Sequence, residues 1–335
     1  MINRRQFLIG GSLVLLAATG CNKLKPLADK LKPLAEALPF GPEPPAIQEE
    51  GPRPQLRVVL LSDPHTEASA GGNGKLSHAA AEYRALKPDL WLVNGDLANN
   101  GKVEELEAFK QVMARYAKPE QMLVTTGNHD FYDQAATDAE ELSRFLKAFG
   151  QKTPYSNRVA GGVHFVLLAD EQWKTAPGYK EWAWLSAAQL RWFEQVLAAN
   201  RDKFTVVCLH QPLQETVTWS WGGNDFAGCG QSKELQAILQ KNPQVKLWFS
   251  GHTHMGAEVK GNVNRKGGVT YVGLGSTYYQ FVETKEQTEF GNFRKDLSAS
   301  QSRLLEVWPD RVVIRARDHV AHAWMPDYEL TVKRG

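Results

Sequence analysis

Five apolar runs of strand length in this chain end in residues able to bind a metal, and helical patterns alternate with them. LRVVLLSD (56–63) runs into Asp63 and His65, and PDLWLVNGD (88–96) ends on Asp96. EQMLVTTGNHD (120–130) delivers Asn128 and His129, KFTVVCLH (203–210) ends on His210, and VKLWFSGHTH (245–254) on His252 and His254. GGVHFVLLAD (161–170) is one more such run. Between them, KLSHAAAEYRALK (75–87) suits a helix, and KVEELEAFKQVMARY (102–116) has Val103, Leu106, Phe109, Val112 and Met113 at helical spacing. AATDAEELSRFLKAFG (135–150) stops at Gly150, SAAQLRWFEQVLAAN (186–200) is a fourth helix, and SKELQAILQK (232–241) a fifth with Ser232 as N-cap. This alternation predicts an α/β domain built on βα units, and ligands of open α/β sheets bind beyond the carboxyl ends of the strands. GVTYVGLG, SRLLEVWP and RVVIRARD read as later strands joined by turns, so a second sheet is expected.

Each strand end alone is ordinary. Asp63-Pro64-His65 resembles a turn opener, Asp96 after Gly95 could cap a helix, and a single histidine is more often structural than functional. The combination carries more. Five of the nine histidines (His65, His129, His210, His252 and His254) lie just past strands, beside Asp63, Asp96 and Asn128. Seven oxygen and nitrogen donors, with one shared, suit two metal ions of borderline hardness, and His129 is left over for chemistry.

SDPH, NGDL, TGNHD, LHQP and SGHTH, in this order and spacing, resemble the signature of the calcineurin-like metallophosphoesterase superfamily over roughly residues 56–275. The resemblance implies a four-layer αββα sandwich, two mixed β-sheets flanked by helices. It also implies one metal on Asp63, His65 and His254, another on Asn128, His210 and His252, and Asp96 bridging the two. The ions would be divalent or of mixed valence (manganese, iron or zinc), hydrolysing a phosphate mono- or diester by a metal-bridging hydroxide. His129 would touch the phosphoryl oxygen or protonate the leaving group. Many relatives carry an acid three residues after the bridging Asp, where this chain has Asn99. An amide accepts a hydrogen bond but supplies no full charge. Asp130 or backbone carbonyls are the candidates for orienting the ring nitrogens. GDLANNG has no tyrosine to match the purple acid phosphatase branch.

The amino terminus reads as an address. MINRRQFLIGGSLVLLAATGC has a basic start, an apolar stretch and small residues before Cys21. NRRQFLI resembles a twin-arginine export signal and ATGC a bacterial lipoprotein box, which predicts a signal peptide over 1–20 and a lipidated Cys21 anchored to the outer face of a membrane. KLKPLA occurs twice and six prolines follow between Pro39 and Pro54, so 21–55 is expected as an extended tether and 56–335 as the metallophosphoesterase domain.

Charge narrows the partners. Lys+Arg minus Asp+Glu is 39 − 37 = +2, so no whole-chain field draws nucleic acid, and none is expected as a partner. A small phosphate ester or a lipid head group is expected instead. Of the three cysteines, Cys208 reads as a core thiol, with a pairing to Cys229 left open. Trp173, Trp182, Trp184, Trp219 and Trp221 fall in loops near the His210 arm and would face a base, a lipid or the loops themselves, whereas Trp192 suits a helix core. Two rival readings stay open: a non-catalytic surface-anchored binding protein on the same fold, and a nucleotide or lipid pyrophosphatase.

Overall fold

The computed structural model describes residues 44–48, 51–69, 73–179, 181–221 and 226–334. The leader, Cys21 and most of the expected tether lie outside them. The described residues belong to one compact unit, which begins at Pro44.

Two sheets form it. In the first, β1 (Leu56–Leu61), β2 (Leu90–Asn94) and β3 (Met122–Thr125) are parallel. Also in chain order, β4 (Ser156–Ala160), β5 (Val163–Leu167), β6 (Phe204–Cys208), β7 (Val245–Ser250), β8 (Val263–Lys266) and β9 (Val269–Gly273) make the second, in the order β4-β5-β6-β7-β9-β8. β5, β6, β7 and β9 run parallel there, with β4 and β8 antiparallel at the edges. A two-stranded hairpin follows, β10 (Gln280–Thr288) with β11 (Gly291–Asp296). Then β12 (Gln301–Val307), β13 (Arg311–Asp318), β14 (Ala323–Trp324) and β15 (Leu330–Lys333) complete the first sheet in the order β14-β13-β12-β1-β2-β3, with β15 also on β13. Among the described residues, five α-helices cover the sheets: α1 (Gly74–Tyr83), α2 (Val103–Met113), α3 (Asp138–Phe149), α4 (Ala187–Ala199) and α5 (Ser232–Gln240).

Three apolar layers bind four layers of structure. Val58, Leu60 and Leu92 of the first sheet meet Phe165, Val206 and Phe249 of the second. Alternate residues of the same strands, Val59, Leu61, Trp91 and Val93, face Leu76, Leu106, Phe109 and Phe145 of α1–α3. On the far side, Val166, Val207 and Trp248 pack against Phe193, Leu197, Leu235 and Leu239 of α4 and α5. Both faces of the central strands are therefore buried, which is why they read as unbroken apolar runs. The expected αββα sandwich of two mixed sheets is the fold observed.

Local chemistry sets the boundaries. Thr137 and Glu140 cap α3 reciprocally, and Gly150 closes it at φ 64°. α5 differs from expectation: Gln231 is its cap residue, without a side-chain cap bond. Ser232 instead donates to Cys229 O at 2.7 Å and accepts from Gln214 N at 3.0 Å, so its hydroxyl serves the loop and not the helix end. Trp192 is half-buried on α4 and rests on Tyr155, while Phe193 takes the core place. Cys208 and Cys229 are both buried free thiols, not a disulfide. At the near end of the expected tether, Ile47 is buried in the α1–α3 layer.

Candidate metal centre

Asp63 and His65 follow β1, Asp96 follows β2, Asn128 and His129 follow β3, His210 follows β6, and His252 and His254 follow β7. The first sheet thus supplies four of the expected donors and the second supplies three. All seven are buried, at 4 % exposure or less, and His129 alone of the group is half-buried. The backbone turns sharply to aim them: Asp63, His65, Asp96, His252 and His254 all have φ between 43° and 64°. Non-glycine residues adopt this left-handed region at a cost and concentrate there at working sites. Gly127 shows how tightly the turns pack, since a Cβ there would stand 2.3 Å from Asp96 Oδ1 and 2.5 Å from the His210 ring.

The side chains converge as two groups. Ligand atoms of Asp63, His65, Asp96 and His254 lie within 4.8 Å of one another, as do those of Asp96, His210 and His252. Asp96 belongs to both. Asn128 Oδ1 joins the second group, 2.9 Å from His252 Nδ1. Asn128 Nδ2 is turned away to Glu181 Oε2 (2.7 Å) and the Tyr132 hydroxyl (2.9 Å), which leaves the carbonyl oxygen facing inward.

Backbone carbonyls fix the rings. His210 Nδ1 donates to Asn94 O at 2.6 Å, His254 Nδ1 to Tyr279 O at 3.1 Å, and His252 Nε2 to Phe226 O at 2.6 Å. The opposite nitrogen of each ring therefore points its lone pair into the centre. His210 Nε2 lies 3.1 Å from Asp96 Oδ2 without the alignment of a hydrogen bond. His254 Nε2 lies 2.9 Å from Asp63 Oδ1 and 3.1 Å from His65 Nε2. Lone pairs and carboxylate oxygens this close, deep in the protein, are a donor set that fits divalent cations.

The charges agree. Burial works to raise Asp63 and Asp96, but His254 and His210 outweigh it for the first and His210 and His129 for the second, so both stay ionised. His210 is the exception: burial lowers it, yet Asp96 and Asp63 raise it to about 10, so without an ion its Nε2 carries a proton that a bound cation would have to displace. Burial and the neighbouring imidazoles of His129 and His210 push His65 and His252 down, toward the neutral form that ligates.

Asp130 has a different task from the one expected. Its carboxylate accepts from Ala98 N and Gly127 N, both at 2.9 Å, and so ties the Asp96 turn to the Asn128 turn; it touches no ligand imidazole. Asn99 also acts through its backbone: its carbonyl oxygen accepts from His129 Nδ1 at 2.8 Å. Three neighbours left no clear trace in the sequence. Tyr132 lies tilted against His129 at 4.0 Å, its hydroxyl donates to Glu181 Oε2 at 2.6 Å, and Tyr279 lies against His254 at 4.0 Å. Of the loop tryptophans, Trp173 extends the row at 4.7 Å from Tyr132, Trp219 packs with Phe281 at 4.7 Å, and Trp221 is exposed.

Comparison with known proteins fits this geometry. A family model described as calcineurin-like phosphoesterase matches residues 56–256. The Escherichia coli K12 protein named 3',5'-cyclic adenosine monophosphate phosphodiesterase CpdA is 27% identical, over 76% of this chain and 86% of its own length. A Nostoc protein named 3',5'-cyclic-nucleotide phosphodiesterase alr5338 is 29% identical, over 67% and 75%. Among solved structures, a dimetal phosphatase from Danio rerio aligns with a TM-score of 0.61 at 15% identity, over 84% of this chain and all of that one, a likeness of fold.

Proposed function

Since this chain belongs to the calcineurin-like phosphoesterase family and is a hydrolase of phosphoric ester bonds, we propose that it is a dinuclear-metal phosphodiesterase acting on small diesters of the cyclic-nucleotide class. The observation that carries this reading is the sharing of Asp96 by two buried donor groups, with His129 half-exposed beside them. Asp63, His65 and His254 would hold one ion and Asn128, His210 and His252 the other, with the Asp96 carboxylate within reach of both groups. Bound ions of this kind supply Lewis acidity toward a phosphoryl oxygen and acidify a water.

The chain's own residues do the rest. With only two carboxylates, Asp63 and Asp96, among the donors, two bound divalent ions would leave the centre net positive toward an anionic diester. Asn94, Tyr279 and Phe226 carbonyls keep the ligand rings from turning. His129 is held at Nδ1 by the Asn99 carbonyl, so Nε2 is free to carry a proton to the leaving oxygen. A carbonyl serves an imidazolium N–H as well as a neutral one, so general-acid action by His129 needs no carboxylate at position 99. Tyr132 lies against His129 and Tyr279 against His254, both partly exposed, and these are the rings we assign to the substrate's surroundings.

The same proposal includes a location. The twin-arginine-like leader and the ATGC box before Cys21 support export and a lipid anchor that holds the enzyme at the outer face of a bacterial membrane.

The test is turnover of bis(p-nitrophenyl) phosphate and 3',5'-cyclic AMP by the protein loaded with manganese or zinc. Asp96→Ala should lose bound metal and activity together. No hydrolysis of either diester by protein shown to hold two ions, or activity surviving in Asp96→Ala, overturns the reading.

A further inference from the structure

A second histidine cluster lies outside the catalytic centre. His78 and Glu82 are four residues apart on α1 and so share one face. His322 reaches the same place from the β13–β14 turn, where it sits at φ 52°, one more non-glycine residue in the left-handed region. Ligand atoms of the three lie within 4.8 Å of one another. His322 Nδ1 is 2.5 Å and His78 Nε2 3.9 Å from the same oxygen, Glu82 Oε1. Tetrahedral zinc places nitrogen and oxygen ligands roughly 3.4 Å apart, a value those two distances straddle.

The other oxygen of the carboxylate is already committed. Glu82 Oε2 accepts from Arg317 Nε at 2.7 Å and His319 Nδ1 at 2.9 Å. His319 Nε2 continues to the Ser302 hydroxyl at 2.7 Å, which meets the Tyr83 hydroxyl at 2.8 Å. This chain orients the buried carboxylate and turns Oε1 toward two imidazoles, as partners behind a metal ligand do. Burial opposes ionisation of Glu82, but His319, then Arg317 and His322, outweigh it and hold it near 2. Burial lowers His78, which favours its neutral form. Both imidazoles are about one-third exposed and border a cavity of about 250 Å³, lined also by Lys75 and Ser300, that leaves room for a water ligand. The Lys75 ammonium is spent on Tyr278, Leu297 and Ala299 carbonyls. Arg317 cancels the carboxylate charge, so binding here rests on coordination by nitrogen and oxygen and not on the local field.

We propose that His78, Glu82 and His322 form a separate mononuclear site for a zinc-class divalent ion, which pins α1 to the β13–β14 turn. Two imidazoles and a carboxylate favour zinc, nickel or copper over calcium or magnesium. The catalytic centre uses none of the three residues, so the site and the proposed activity are independent.

The experiment counts metal. Full-length protein is loaded with zinc, dialysed, and assayed by elemental mass spectrometry alongside His78→Ala/His322→Ala. The double variant should hold one zinc fewer per chain, with diester hydrolysis unchanged. In an Asp96→Ala background, where the catalytic ions are lost, one zinc per chain should remain and should vanish when His78 and His322 are also replaced. Equal zinc in the wild type and the double variant overturns the proposal. So does an Asp96→Ala protein that keeps no zinc, or keeps zinc indifferent to the two histidines.

Discussion

At the level of single residues, position 99 separates what a side chain does from what its backbone does. The Asn99 amide group is not what holds His129; its carbonyl oxygen is. Asn99→Ala should therefore keep kcat within about tenfold, whereas His129→Ala should lower it by roughly 10²–10⁴, the range for loss of a proton donor. Comparing kcat for the two variants on one diester checks this; an Asn99→Ala loss as large as that of His129→Ala would mean that the side chain matters. Gly127 makes the opposite case. Gly127→Ala should displace Asp96 or His210, because the new methyl carbon has no room, and bound metal should fall with activity. Metal content of purified Gly127→Ala, unchanged from the wild type, would contradict the steric account. The donors themselves were legible in the sequence because polar residues at the ends of apolar strands stand out. Their supports were not, because a carbonyl is present at every position and leaves no mark. Tyr132 and Glu181 were hidden for another reason: they stand 49 positions apart, and only the fold makes them partners.

At the level of elements, legibility followed burial. β1, β2, β6 and β7 lie buried on both faces and could be read directly. β4 is an edge strand, SNRVA, with no buried residue, and β10–β11 alternates burial only weakly along QFVETKEQT. Neither offers the apolar run that marks a central strand. α3 was readable at both ends because its capping chemistry is local. Thr137→Ala should cost about 1 kcal/mol of stability, measured by denaturant unfolding. β5 carries a pH effect. His164 is buried there, with Nε2 3.1 Å from Asn157 Oδ1, and burial lowers it from 6.5 to about 4. Between those values the unfolded chain binds a proton that the folded one refuses, so stability falls as pH drops from 6.5 toward 4. His164→Gln removes this one contribution. The stability difference between pH 7 and pH 5 should shrink by on the order of 1–2 kcal/mol, and an undiminished difference would show that His164 pays no such penalty.

At the level of the molecule, the sandwich accounts for the position of the centre. The parallel strands of both sheets end on one rim, and the donors come from both. The proposed address is likewise a property of the whole chain. Cys21→Ser should move the protein from the membrane to the soluble fraction on cell fractionation, and a variant that stays bound would count against a lipid anchor. Because four donors belong to one sheet and three to the other, an ion seated among them is a clasp across the interface. Its presence should therefore resist separation of the two sheets: protein holding metal should unfold at a higher denaturant concentration than the same protein stripped by a chelator.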